Sequence, residues 1–142
     1  MKTRSGASAH RAVRPAALVT AARRARRRAY APYSRYPVGA AIATADGTVF
    51  TGANVENASY GLSMCAERVA IFAAAAAGHH RVQAVAVATG SADPASPCGA
   101  CRQVMAEFGV QTVFLTGTRG AYRERRFADL LPDAFTRADL SN

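Results

Sequence analysis

Three cysteines and one glutamate constrain this chain more than anything else in it. They fall in two short stretches, Cys65-Ala66-Glu67 and Pro97-Cys98-Gly99-Ala100-Cys101. A Cys-x-x-Cys pair opening one helix and a single cysteine opening another can bring three thiolates onto one tetrahedral metal, for which zinc is the natural occupant. A fold that uses them must set two helix N-termini side by side. Three protein ligands, Cys65, Cys98 and Cys101, leave the fourth position to water, which separates a catalytic zinc site from a closed structural one. Glu67, two residues past Cys65, is poised to handle that water's proton. The expected cofactor is one Zn2+ per chain.

The odd cysteine count agrees with reduced thiols, since three cysteines cannot all pair within one chain. A Cys98–Cys101 disulfide is the alternative, but the thioredoxin-like context that usually accompanies such a redox pair is missing. At helix N-termini the dipole and the free backbone N–H groups favour thiolate over thiol. Arg68, three residues after Cys65 and on the same helical face, can donate to a metal-bound sulfur and offset the charge of three thiolates. A surface arginine following a helix start is its other reading. His10, His79 and His80 have no ligand spacing relative to the cysteines, and the latter pair follows Gly78 at a helix end, where cations are favoured anyway.

A chain of 142 residues, half of them hydrophobic, fits one domain with a proper core. It has no run of about 18 apolar residues, and the stretch from Ala16 to Ala22 is too short and too broken by Thr20 for a secretory core. No membrane partner is expected, and the cytoplasm is the expected compartment.

The net charge of +9 is concentrated at one end. Ten basic residues precede the first acidic one, Asp46; from Asp46 onward eight basic residues face nine acidic ones. Such a segment can bind phosphates non-specifically. With no aromatic residues interleaved among the arginines, it reads instead as a solvated helix face behind a disordered basic leader over residues 1–14, nucleic-acid binding being the lesser reading. The domain proper is expected over residues 15–142.

Pro15 suits the first turn of a helix reaching about Tyr30, with Ala17, Leu18, Ala21, Ala22, Ala25 and Ala29 on its packing face. Two prolines make Ala31 to Pro37 a rigid turn. Val38–Thr44 and Thr48–Asn54 read as strands of a hairpin around Asp46-Gly47. A helix follows from Cys65 to Ala77, closed by Gly78, then a buried strand over Val82–Thr89. Ser96-Pro97 reads as N-cap and first residue of a helix ending near Phe108-Gly109. Val110–Thr116 is a further strand, and a short helix is expected around Phe127 to Leu131. Strand–helix alternation after a hairpin implies α/β architecture, a mixed sheet sandwiched by helices. Asn54 and Glu56, two apart at a strand end, point to one side and suit hydroxyl recognition, although a turn or cap role for Asn54 fits the sequence almost as well.

Several blocks occur together and in order: Tyr30-Ala31-Pro32-Tyr33-Ser34, Val38-Gly39-Ala40-Ala41, Asn54-Val55-Glu56-Asn57-Ala58, Cys65-Ala66-Glu67-Arg68, Pro97-Cys98-Gly99-Ala100-Cys101-Arg102-Gln103-Val104 and Leu130-Leu131-Pro132-Asp133-Ala134-Phe135. From about Tyr30 to Leu140 the chain resembles the small homotetrameric cytidine deaminases of the three-cysteine zinc type. The resemblance implies a three-layer α/β/α sandwich with about five strands. It also implies hydrolytic deamination of cytidine and 2′-deoxycytidine, as in pyrimidine salvage, with Glu67 shuttling both protons. It assigns Asn54 and Glu56 to the ribose, the Ala66 backbone N–H to the base carbonyl and Arg68 to the thiolate charge. Tyr36 stands where the family usually has phenylalanine against the base, and Phe135 corresponds to the residue that reaches into a neighbouring subunit's site. A cytosine-containing antibiotic such as blasticidin S is the rival substrate, and a structural-zinc nucleic-acid-binding module is the rival class.

Overall fold

The computed structural model describes residues 12–141. Most of the expected leader lies outside them. Helix α1, Pro15–Arg26, opens on a proline whose missing N–H costs nothing in a first turn. The hairpin β1, Gly39–Thr44, and β2, Val49–Ala53, turns on Asp46-Gly47, with Gly47 at φ 85° as the glycine there allows. Then come α2 (Ala66–Ala76), β3 (Val82–Ala88), α3 (Gly99–Glu107), β4 (Thr112–Thr116), β5 (Arg123–Arg126) and α4 (Phe127–Leu130), with single 3-10 turns at Tyr60–Leu62 and Arg137–Leu140. The five strands form one mixed sheet in the order β2-β1-β3-β4-β5, parallel only between β3 and β4.

The two faces of this sheet differ in side-chain volume, and that sets the three layers. Ala41 and Ala43 of β1, with Ala86 and Ala88 of β3, make a nearly flat face on which Leu18, Val19 and Ala22 of α1 pack. On the other face Ile42, Val85, Val87, Val113 and Leu115 project into Ala70, Ile71 and Ala74 of α2 and Cys101 and Met105 of α3. Close approach is built in by glycine. A Cβ at Gly39 would sit 2.2 Å from the Ala22 carbonyl oxygen of α1, and one at Gly52 2.5 Å from the Ala70 nitrogen of α2. Alanine at Gly39 would lift α1 off its bed and expose Leu18, whose burial is worth roughly 1.5–3 kcal/mol.

Four local expectations are corrected. Helix α1 stops at Arg26, short of Tyr30, because Ala31 precedes Pro32 and the chain must already be extended there; Tyr30 instead donates its N–H to the Asn54 carbonyl (2.9 Å). Its buried face includes Val19 and excludes Ala17 and Ala29. Helix α3 has Cys98, not Ser96, at its N-cap, so Pro97 lies outside it; the Pro97 carbonyl is taken by the Arg102 side chain (Nε, 2.8 Å) in place of a helical N–H. The residue-level reading named four strands, and β5 supplies the fifth.

Candidate active site

The register places both cysteine-bearing helix starts at one edge of the sheet. Ala53, at the end of β2, lies opposite Gly39, which lies opposite Ala88 at the end of β3, itself opposite Thr116 at the end of β4. Helices that follow β2 and β3 therefore begin at this same edge, the carboxyl end where α/β sheets place their ligand sites. Cys65 is the N-cap of α2 and Cys98 the N-cap of α3; Glu67 and Cys101 follow at the second and third helical positions. The Cys-x-Glu and Cys-x-x-Cys spacings are thus first-turn geometry at two adjacent helices.

The three Sγ atoms lie within 4.8 Å of one another, and Cys65 and Cys98 are 3.8 Å apart. A tetrahedron with Zn–S bonds of about 2.3 Å has an edge of about 3.8 Å, so the donor set fits zinc in both element and spacing. All three cysteines are free, which sets aside the Cys98–Cys101 disulfide. The hydrogen bond from the Cys101 thiol holds Cys65 down at about 5, with Arg68 and Cys98 adding to it against burial. The same contact pushes the Cys101 thiol up, and burial adds to it. The two opposite shifts favour the thiolate on Cys65 over that on Cys101; Cys65, Cys98 and Cys101 would hold a metal as thiolates, with release of their protons.

Arg68 points its Nη2 at the Cys65 sulfur from 3.5 Å, the contact its spacing predicts, and this bond raises its own pKa. Glu67 is buried, 5% exposed, and burial pushes its carboxyl up to about 7, the Cys65 charge acting in the same direction. A carboxyl group poised near neutrality both takes and gives protons. Ala66 is fully buried at the first helical position, where the backbone N–H has no helical acceptor.

Asn54 and Glu56 both work on the turn before β1. Asn54 accepts from the Val38 N–H (2.8 Å) and donates to the Tyr36 carbonyl (2.9 Å). Glu56 accepts from the N–H groups of Tyr33 and Ser34 (2.9 and 3.0 Å) and from the Ser34 hydroxyl, whose bond is the main cause of its lowered pKa. They hold Arg35 at φ 55°, a left-handed conformation uncommon for its residue type. Beside them is an open cleft of about 280 Å3 lined by Tyr33, Ser34, Glu56, Tyr60 and Ser63. The extra hydroxyl of Tyr36 meets Ser91 Oγ at 3.0 Å, so the polar atom that sets it apart from phenylalanine is satisfied. Phe135 is 57% exposed and is not part of its own chain's core.

Residue-by-residue reading singled out neither Tyr60, three-quarters exposed and stacked edge-on against Tyr33, nor the roles of Arg102 and Gln103. Tyr60 sits in a polar loop with no periodicity to mark it. The two α3 residues act through the fold, by bonds across about thirty positions to the C-terminal segment.

Three thiols and a buried carboxyl group at paired helix starts over a mixed sheet define the site of a three-cysteine zinc enzyme. Residues 14–116 match the cytidine and deoxycytidylate deaminase zinc-binding region. The chain is 48% identical over 126 residues to a cytidine deaminase of Sporosarcina psychrophila, covering 87% of this chain and 93% of that one. It is 49% identical over 127 residues to one from Halalkalibacterium halodurans, covering 88% and 96%. Among solved structures it superposes on a cytidine deaminase from Burkholderia pseudomallei with a TM-score of 0.82 at 54% identity, covering 87% of this chain and all of that one. The chain belongs to the cytidine and deoxycytidylate deaminase zinc-binding family.

Among the described residues no helix is long and apolar enough to cross a membrane.

Proposed function

We propose that this chain hydrolyses cytidine and 2′-deoxycytidine to uridine and 2′-deoxyuridine with release of ammonia. The observation that carries this is the buried Glu67 beside three convergent thiols, in a chain nearly half identical to cytidine deaminases over most of its length. Cys65, Cys98 and Cys101 would hold one Zn2+ as thiolates, and the bound ion supplies Lewis acidity that makes water a competent nucleophile near neutral pH.

The chain's own groups then handle the protons. Glu67 takes a proton from the attacking water and passes it to N3 of the ring as C4 becomes tetrahedral. It next takes the remaining proton from the new C4 hydroxyl and delivers it to the exocyclic amine, so that the C4–N bond breaks, ammonia leaves and the C4 carbonyl forms. One carboxylate serves both transfers because its burial keeps the protonated and ionised forms close in energy. Arg68 draws charge from the Cys65 sulfur. The free N–H of Ala66 binds the base carbonyl, Tyr36 packs on the ring, and Asn54 and Glu56 serve the ribose as well as the turn they brace.

Residues 15–142 form the catalytic domain of a homotetramer in which Phe135 completes a neighbour's site, and the enzyme acts in the cytoplasm in pyrimidine salvage. Supporting the assembly are the exposed Phe135, Tyr60 and Leu62. The test is to incubate purified protein with cytidine, deoxycytidine, CMP and blasticidin S, following loss of cytosine absorbance and ammonia release. Turnover of the two nucleosides is expected. Turnover of the antibiotic alone, or salt-sensitive nucleic-acid binding with no deamination, would replace this reading with one of its rivals.

A further inference from the structure

Arg102 has an unusual set of partners. Its guanidinium donates Nε to the Pro97 carbonyl (2.8 Å), Nη2 to the Ser96 hydroxyl (3.0 Å) and Nη1 to the Leu130 carbonyl (2.6 Å). No carboxylate pairs with it among the described residues. Its three hydrogen bonds all go to neutral acceptors in two segments. Helical side chains lean toward the N-terminus, so an arginine in the first turn of α3 can reach back to the chain entering that helix. There it fixes the approach to Cys98. The Leu130 carbonyl closes α4, where a cation suits the unsatisfied end of a helix.

The next residue extends the same bracket. Gln103 donates Nε2 to the Phe135 carbonyl at 2.8 Å. The stretch from Leu130 to Phe135 is therefore pinned at both ends by two consecutive residues of α3 that directly follow Cys101. Between the pins, Leu131 packs on the core and Asp133 is held at φ 53°, a conformation that persists in a non-glycine residue only where its surroundings enforce it.

We propose that Arg102 is a positioning residue that couples the metal-ligand loop to the C-terminal segment bearing Phe135, with Gln103 as its second anchor. This rests on the reading of the three cysteines as zinc ligands and of Phe135 as a nucleoside contact. Capture of the ion by Cys98 and Cys101 orders the first turn of α3. Arg102 carries that order to Leu130, and Gln103 carries it to Phe135. A planar fork with three fixed donors suits this role, and the single ammonium of lysine cannot reproduce it.

The decisive measurement is hydrogen exchange of the amides in residues 131–141, with zinc bound and after its removal by a chelator, in the full-length parent, Arg102→Gln and Arg102→Lys. In the parent, zinc removal should speed exchange there. In Arg102→Gln exchange should be fast already and respond little to zinc, transfer of zinc to a competing chelator should be about tenfold faster, and KM for the nucleoside should rise more than kcat falls. Arg102→Lys, which keeps the charge and loses the fork, should weaken the zinc response in the same direction if the glutamine variant does not fold. Gln103→Ala should raise KM with zinc transfer unchanged. A parent-like response to zinc in folded Arg102→Gln or Arg102→Lys overturns the coupling while leaving the zinc site intact. Full zinc retention by Cys98→Ala is the separate result that would overturn the site reading beneath it.

Discussion

The sulfurs of Cys65 and Cys98 stand 3.8 Å apart although the two residues cap different helices. Neither α2 nor α3 can shift without opening that gap, so metal binding and the seating of both helices on the sheet are one equilibrium. Cys98→Ala removes a corner of the tetrahedron and should leave the purified protein with far less than one zinc per chain. Its melting temperature should fall toward that of the chelator-treated parent. Zinc content measured by mass spectrometry at one per chain would show that Cys98 is not a ligand.

Glu67 is one residue from the Ala66 N–H and two from Cys65, and the proposed mechanism gives it proton transfer and not coordination. Glu67→Gln keeps the volume in a buried position while removing the titrating oxygen. Zinc should remain near one per chain, and kcat should drop by at least the roughly 10²–10⁴-fold that a positioned acid–base group contributes. Near-parental turnover would sink the mechanism.

Arg68 brings a cation to the Cys65 sulfur from within the same helical turn, its Nη2 3.5 Å away. In Arg68→Gln the sulfur loses that donor and its charge goes uncompensated, so turnover should fall by about tenfold or more while zinc content changes less. A variant with parental kcat and KM would return Arg68 to the role of a surface side chain.

How much of this was legible in the sequence depended on whether a residue acts locally. The cysteine spacings are first-turn helix geometry, and Asp46-Gly47 carries its own turn, so both could be read directly. Strand β5, Arg-Glu-Arg-Arg, is exposed along its whole length and shows no hydrophobic period. Its charges suit an edge that must not pair further, and only the neighbouring β4 identifies it as a strand. The start of α3 was misplaced by two residues because the group that competes for the Pro97 carbonyl comes from the Arg102 side chain. The bracing role of Glu56 depends on a turn 22 residues earlier.

Asp46 offers a test of stability away from the metal. The Thr44 hydroxyl, followed by Thr48, holds its carboxyl down at about 2 from an ordinary value of 3.8. A lowered carboxylate pKa adds stability above the unfolded value, and that stability is lost as pH falls through the folded one. The urea midpoint of Asp46→Ala should therefore lie below the parent's at pH 5 to 6. The gap should narrow below about pH 4 and close near pH 2. A gap that widens toward acid pH would contradict the assignment.

Phe135 tests the assembly. The residue is more than half exposed, while its carbonyl is fixed to Gln103 on the helix that carries Cys101. The segment is thus held firmly while its largest apolar group faces outward, an arrangement suited to filling a site on a second copy. Closed two-fold symmetry lets each subunit both give and receive such a group. Glu67→Ala chains lack the proton carrier but present an intact Phe135. Phe135→Ala chains keep the carrier but present no ring, and alone they should show a raised KM. When the two are unfolded together and reassembled, some sites combine the intact Glu67 of one chain with the intact Phe135 of another. Those mixed tetramers should regain part of the low-substrate activity that neither parent variant has. A monomer by light scattering, or no recovery in tetramers verified as mixed by native mass spectrometry, would confine Phe135 to its own chain.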